Sequence, residues 1–329
     1  DPSGPRLGRF DYDAAGKPRY STDRKLRYVL TLPKGTGPFG LAVFLHGLEG
    51  DRTQVAAVAN DLAAIGYATL AVDLPYHGEH PIRVTGKPNG AGFFSSDVFA
   101  VRDNLREVAL EQRQILLFAR ERLNGFLRTQ LALAGDAPDP IDPARIDFLG
   151  VSLGGIAGAV STAVNPGFKR VALVAAGGHL MRIVTGTANA AVRGPFDEAI
   201  SAMGLEPDTS AFGQFVDFAQ WGLDRADPVS FARIASGASG STVGKRILLI
   251  EAIGDDVVPN EATEELRDAY RLSDGSAPVF RAFPANAEAA DRLCHGFFLD
   301  GCDATTWPKA DKAREDARRT VSEFLGQQE

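Results

Sequence analysis

The chain has 329 residues, 44% hydrophobic and 23% charged, a balance that excludes intrinsic disorder and collagen-like repeats. Its 42 acidic and 35 basic residues leave a net charge of -7, the wrong sign for gripping phosphate backbones, so nucleic acid is not an expected partner. No run approaches the roughly 18 unbroken apolar residues of a membrane helix, so no transmembrane segment is expected. The sequence opens at Asp1 with neither an initiator Met nor a charged-then-apolar leader, and a preceding segment, cleaved or left out, is expected.

In chain order, two apolar runs at 28–32 and 41–45 frame a Pro/Gly-rich turn and read as strands. Residues 53–65 carry apolar side chains at Val55, Val58, Leu62 and Ile65, the spacing of an amphipathic helix, with Asp51 or Thr53 as its cap. A strand follows at 67–72, then a long helix at 101–123 with Leu105, Val108, Gln112, Ile115 and Ala119 along one face. Further strands are expected at 146–151, 170–175, 246–250 and 279–283, mostly unbroken apolar runs suited to a sheet covered on both faces. Helices are expected at 156–163, at 261–270 after Pro259 and the capping residue Asn260, and at 311–325. This alternation predicts an α/β fold with a mainly parallel sheet and helices on both faces. The interval 179–245 lacks a convincing strand and reads as a helical cap or lid on a core of 1–178 and 246–329; spacing at Phe212, Phe215, Ala219 and Gly222 points to an amphipathic helix there.

The chemistry concentrates in Gly150-Val151-Ser152-Leu153-Gly154-Gly155, placed between a strand and a small-residue helix. That context suits a nucleophile elbow, where the flanking positions must be glycine for so tight a turn. A serine hydroxyl is nearly inert at neutral pH and needs a base, and the base needs an acid to orient it. Of the five histidines (His46, His77, His80, His179 and His295), only His295 follows the last strand, where the base belongs in the order Ser, acid, His. For the acid, Gly254-Asp255-Asp256 ends the preceding strand; Asp255 is preferred and Asp256 is the alternative. An oxyanion site needs two backbone N–H donors, expected from Leu153, after the serine, and from Leu48 in His46-Gly47-Leu48, where His46 reads as a residue that orients the loop. The segment Asp73-Leu74-Pro75-Tyr76-His77-Gly78-Glu79-His80 is dense in potential ligands but lacks metal-site spacing, so no metal is expected. Cys294 and Cys302 flank His295 and are either a local disulfide or two thiols.

These segments resemble the α/β-hydrolase superfamily. More narrowly, His46-Gly47-Leu48, Asp73-Leu74-Pro75 with His77-Gly78, Arg102-Asp103-Asn104-Leu105-Arg106, Ser152-Leu153-Gly154-Gly155-Ile156, Asp227-Pro228, Gly254-Asp255 with Val257-Val258-Pro259-Asn260, and His295-Gly296 with Leu299-Asp300 resemble the catalytic domain of bacterial extracellular lipases of the virulence-factor type. The resemblance implies Ser152, Asp255 and His295 as a triad, lipid or small-molecule esters as substrates, no cofactor, and a place outside the cytoplasm. Val151 departs from that pattern, which commonly has histidine before the nucleophile. The expected activity is carboxylic ester hydrolysis through an acyl-enzyme. Its rivals are a short-chain esterase, a polyester hydrolase, an acyltransferase or a peptidase with the same residues, and a binding module that has lost catalysis.

Overall fold

A computed structural model describes residues 9–19, 22–236, 244–271, 273–274, 279–285, 291–299 and 301–327. Within them eight strands form one sheet: β1 (Tyr28–Thr31), β2 (Phe39–Leu45), β3 (Tyr67–Val72), β4 (Ile141–Val151), β5 (Arg170–Val174), β6 (Arg246–Ala252), β7 (Ser273–Asp274) and β8 (Val279–Phe283). Their spatial order is β1-β3-β2-β4-β5-β6-β8-β7, and every adjacent pair is parallel except the edge pair β1 and β3. The helices are α1 (Ala56–Ala64), α2 (Val98–Glu121), α3 (Leu123–Gln130), α4 (Leu153–Val164), α5 (Leu180–Gly186), α6 (Ala190–Ala202), α7 (Ser210–Leu223), α8 (Pro228–Ala235), α9 (Asn260–Tyr270) and α10 (Ala310–Gly326).

Strand alternation sends successive side chains to opposite faces. Leu41, Val43 and Leu45 of β2 pack with α2, α4, α8 and α9 in one core, whereas Ala42 and Phe44 pack with α1 and α10 in the other. Both faces are thus dry, which is why the central strands are continuous apolar runs. Each fully buried Phe or Leu here contributes roughly 1.5–3 kcal/mol.

Helix ends follow local capping more than the apolar pattern. Asp51 takes the Thr53 N–H at 2.7 Å. The long helix starts at Val98, earlier than expected, because Asp97 accepts from the N–H groups of Phe99 and Ala100 at 3.1 and 3.2 Å. Asn260 does not cap α9 as expected, since its side chain turns back to take the Gly254 N–H and to donate to the Ala252 carbonyl, both at 2.7 Å. Asp103 and Asn104 of α2 are buried anchors: Asp103 accepts the Phe10 N–H at 3.0 Å, and Asn104 donates to the Phe93 carbonyl at 2.8 Å.

Between β5 and β6 lie α5 to α8; residues 237–243 of the expected cap are outside the described residues. The last of these helices, α8, packs on α4 and α9 as part of the layer beside the sheet, and α7 packs on α2. Asp227, 1% exposed, holds this insertion together. Its carboxylate accepts from the N–H groups of His179 (3.0 Å), Leu180 (2.7 Å) and Val229 (2.9 Å) and from Gln220 Nε2 (2.9 Å). Phe196 is buried edge-to-face with Phe212 and tilted against Phe215, while Phe218 and Trp221 lie exposed in contact on α7.

Candidate active site

In a parallel sheet the loops beyond the carboxyl ends of the strands gather at one edge. The serine, acid, histidine and oxyanion candidates come from four such loops, after β2, β4, β6 and β8. Ser152 stands between β4 and α4 with φ 55° and ψ -123°, a left-handed conformation that a non-glycine residue holds only under constraint. The constraint is visible in its neighbours. The Ser152 N–H donates to the Val174 carbonyl at 2.8 Å, and its own carbonyl accepts from Gly155 and Ile156 at 2.8 and 2.9 Å. A Cβ on Gly150 would sit 2.3 Å from the Gly154 carbonyl oxygen, and one on Gly154 would sit 2.2 Å from that of Leu45, so both positions must be glycine.

Ser152 Oγ lies 2.6 Å from His295 Nε2, and His295 Nδ1 lies 2.7 Å from Asp255 Oδ2. The carboxylate can only accept, so Nδ1 carries the proton and Nε2 is free to accept from the serine hydroxyl. The other oxygen, Asp255 Oδ1, accepts from the N–H groups of Val257 (2.8 Å) and Val258 (3.0 Å), which fixes the carboxylate plane. Asp256 points elsewhere: its side chain is exposed, and its carbonyl takes the Ala188 N–H at 2.7 Å, tying the end of α5 to the acid turn. His295 is bracketed by a disulfide between Cys294 and Cys302, with Cα atoms 5.8 Å apart, and the loop is rooted by the buried rings of Phe297 and Phe298. Asp300, part of the sequence resemblance, lies outside the described residues.

The turn after β2 abuts the serine, for a Cβ on Gly47 would come within 3.2 Å of Ser152 Cβ. His46 is fully buried, and burial lowers its pKa, so the ring is neutral. Its Nε2 accepts the Leu74 N–H at 3.0 Å, which leaves the proton on Nδ1 to donate to the Gly47 carbonyl at 2.8 Å. The Gly47 carbonyl and the Leu48 N–H belong to one planar peptide and point in opposite directions, so pinning the carbonyl aims the N–H. Among the described residues neither the Leu48 nor the Leu153 N–H has a protein acceptor, and Leu153 opens α4, where the helix dipole favours negative charge. Two donors of this kind beside a hydroxyl relay can hold a developing oxyanion.

The residues of the 73–80 segment brace the loop and tie it to Arg52 and to α2, while His77 Nε2 is buried without a hydrogen-bond partner among the described residues. Asp73 accepts from the Arg52 N–H and guanidinium (2.8 and 2.5 Å) and the Glu79 N–H (2.9 Å). His77 Nδ1 donates to the Pro75 carbonyl at 2.8 Å, and His80 bonds Glu111 at 2.9 Å. Burial pushes the His77 pKa down to about 4. His179 lies apart from the serine relay, paired with Glu265 at 2.7 Å. Sequence reasoning missed Asn89, and it named Asn260 only as a helix cap and within the resemblance, and Asp227 only within the resemblance, without their roles as anchors of the acid turn and of the insertion. Their only signal was a place beside Pro or Gly in turns, which marks a turn former and nothing more.

No family model and no curated protein sequence matches the chain. Solved structures do. An acetyl xylan esterase from Paenibacillus sp. R4 superposes with a TM-score of 0.55 at 16% identity, over 94% of this chain and 81% of that one. Acetyl xylan esterase 1 from Thermoanaerobacterium sp. JW/SL YS485 does so with a TM-score of 0.54 at 15% identity, over 92% and 78%. The acylaminoacyl peptidase of Pyrococcus horikoshii matches with a TM-score of 0.55 at 16% identity, over 98% of this chain but 41% of that one. The narrower resemblance to extracellular lipases gains nothing from these matches. With a mostly parallel sheet covered on both faces and such neighbours, the chain has the α/β-hydrolase fold.

Proposed function

We propose that this protein is a serine carboxylic ester hydrolase. The observation that carries this reading is the continuous relay from Asp255 through His295 to Ser152, with contacts of 2.7 and 2.6 Å, on a serine held in an elbow conformation. In the proposed reaction His295 Nε2 takes the hydroxyl proton as Ser152 Oγ attacks the ester carbonyl. The Leu48 and Leu153 N–H groups hold the oxyanion. The tetrahedral intermediate collapses to an acyl-serine, and the alcohol leaves with the proton from His295. Water, deprotonated by the same ring, then attacks the acyl-serine, releases the acid and restores the hydroxyl. Asp255 holds the ring in the tautomer that makes each transfer productive. Every step uses residues of this chain.

The substrate class is proposed as carboxylic esters, in keeping with the acetyl xylan esterases among the structural neighbours; the acylaminoacyl peptidase neighbour has an equal TM-score, so a peptide amide is assayed beside the esters. The helices α5 to α7, anchored to the acid turn through Ala188 and Asp256, would serve as a cap that shapes the acyl side of the cleft. Hydrolysis of p-nitrophenyl esters from two to sixteen carbons, by wild type and Ser152→Ala in parallel, tests this. The expected result is turnover that drops by about four to six orders of magnitude in kcat without the serine. Preference for long chains would make the enzyme a lipase, and preference for acetate a short-chain esterase. Ester turnover by Ser152→Ala at the wild-type rate would refute the assignment.

A further inference from the structure

The turn that carries Leu48 is held from two sides. On one side, His46, just past β2, pins the Gly47 carbonyl, and Gln54 Oε1, from the short helical turn 52–55, accepts the Gly47 N–H at 3.3 Å. Beyond Leu48 the turn passes through Glu49, a non-glycine residue at φ 63°, a conformation that needs a restraint to persist. That restraint comes from the loop between β3 and α2. Asn89 Nδ2 donates to the carbonyls of both Glu49 (2.8 Å) and Gly50 (2.7 Å), and Asn89 Oδ1 accepts the Gly78 N–H at 2.7 Å. All of the carboxamide is therefore used to join the Leu48 turn to the 73–80 loop. The next residue closes the gap: Gly90 donates to the Tyr76 carbonyl at 2.9 Å, and a Cβ there would meet His77 Nε2 at 2.8 Å, Leu48 Cδ1 at 3.1 Å and the Glu49 nitrogen at 3.3 Å.

We propose that Asn89 is a positioning residue for catalysis: its carboxamide locks the turn of Glu49 and Gly50 so that the Leu48 N–H stays aimed at the reacting carbonyl oxygen. This rests on the reading of Leu48 as an oxyanion donor. Asn89 touches no reacting atom and acts only through the turn. A donor held in place before the reaction stabilises the oxyanion without reorganising, and a turn free to relax from φ 63° loses part of that advantage.

The test compares wild type with Asn89→Ala and Asn89→Asp, using p-nitrophenyl acetate and a phenylboronic acid, which forms a tetrahedral adduct on the nucleophilic serine. The Asp side chain has the same shape and keeps an acceptor for Gly78, but it sets an oxygen against the carbonyls of Glu49 and Gly50. The expected result is a kcat about 5- to 50-fold lower in Asn89→Ala and lower still in Asn89→Asp, below the roughly 100- to 1,000-fold effect of deleting a donor outright. KM should stay within about threefold, and the boronate inhibition constant should rise by the factor that kcat/KM falls. A merely structural role would lower the melting temperature and the active fraction but leave boronate affinity per folded molecule unchanged. That outcome, or both variants within twofold of wild type, would overturn the proposal while Ser152-dependent hydrolysis stands. A wild type that neither turns over the ester nor binds the boronate would instead overturn the ester-hydrolase reading, and this inference with it.

Discussion

Ser152 keeps its left-handed backbone because the chain around it leaves no room for another. Gly154→Ala would drive a methyl to 2.2 Å from the Leu45 carbonyl oxygen, where only backbone could yield. Overpacking of this kind costs on the order of 3 kcal/mol. The expected outcome is a melting temperature several degrees lower together with lost esterase activity, both read on one preparation. A second single-residue expectation concerns Glu251 on β6, 5% exposed, with Oε2 unpartnered among the described residues. Burial first, then the nearby Glu264, pushes its pKa up to about 8, whereas an unfolded glutamate ionises near about 4.3. Between those values the folded chain holds a proton that the unfolded chain has released, so this group makes stability fall as pH rises through the window. Glu251→Gln, of the same shape but without charge, should raise the unfolding free energy more at pH 8.5 than at pH 5 in urea titrations; an equal change at both pH values would contradict the assignment. Single residues differed in how far the sequence disclosed them. Ser152 and His295 were legible because a strand-to-helix glycine frame and chain order each leave one candidate. Asp255 and Asp256 were not separable with certainty, since the turn backbone alone decides which carboxylate faces His295.

The loop that carries His295 is an element with its own fastening. The Cys294 to Cys302 disulfide closes a short loop, and on a chain-entropy account such a closure contributes about 2–3 kcal/mol. The double variant Cys294→Ser with Cys302→Ser is expected to unfold several degrees lower. Its kcat should fall further than its KM rises, because the loop sets where His295 sits relative to Ser152. Unchanged kcat in the folded variant would show that Phe297 and Phe298 alone position the histidine. The insertion between β5 and β6 depends in a similar way on Asp227. Asp227→Ala leaves the three backbone N–H groups of His179, Leu180 and Val229 without their acceptor, while the Gln220 amide keeps Asp224, at about 1–3 kcal/mol for each group that stays buried and unsatisfied. Limited proteolysis should then cut within 180–227 faster than in wild type, while the strands stay protected. At this level the sequence placed helices and strands well and their ends poorly. Apolar spacing locates a helix body, but its start is a capping hydrogen bond, and Asn260 shows that a good capping residue can have a different partner. The separate helix α3 escaped notice because the break at Arg122 carries no glycine or proline.

Across the whole molecule, four loops from separate strands meet at one edge of the sheet, and this convergence is what the chain order of serine, acid and histidine encodes. It was readable because parallel strands joined by helices put every strand's carboxyl end on the same side. The antiparallel pairing of β1 and the two-residue strand β7 were not, since pairing direction at an edge and so short a strand leave little periodicity to read. Nor did the sequence separate the parts of the 179–245 interval. Its apolar residues look alike in one dimension, but α8 belongs to the layer beside the sheet while α7 leaves Phe218 and Trp221 exposed. All of these parts matter to function only if Ser152 is a nucleophile activated by its relay. Incubation with a fluorophosphonate, which phosphonylates activated serines, followed by peptide mass mapping, asks that directly. The prediction is one phosphonyl group per chain, on Ser152, absent in Ser152→Ala and formed far more slowly in His295→Ala. A wild-type chain that stays unlabelled, or takes the label at another serine, would contradict it.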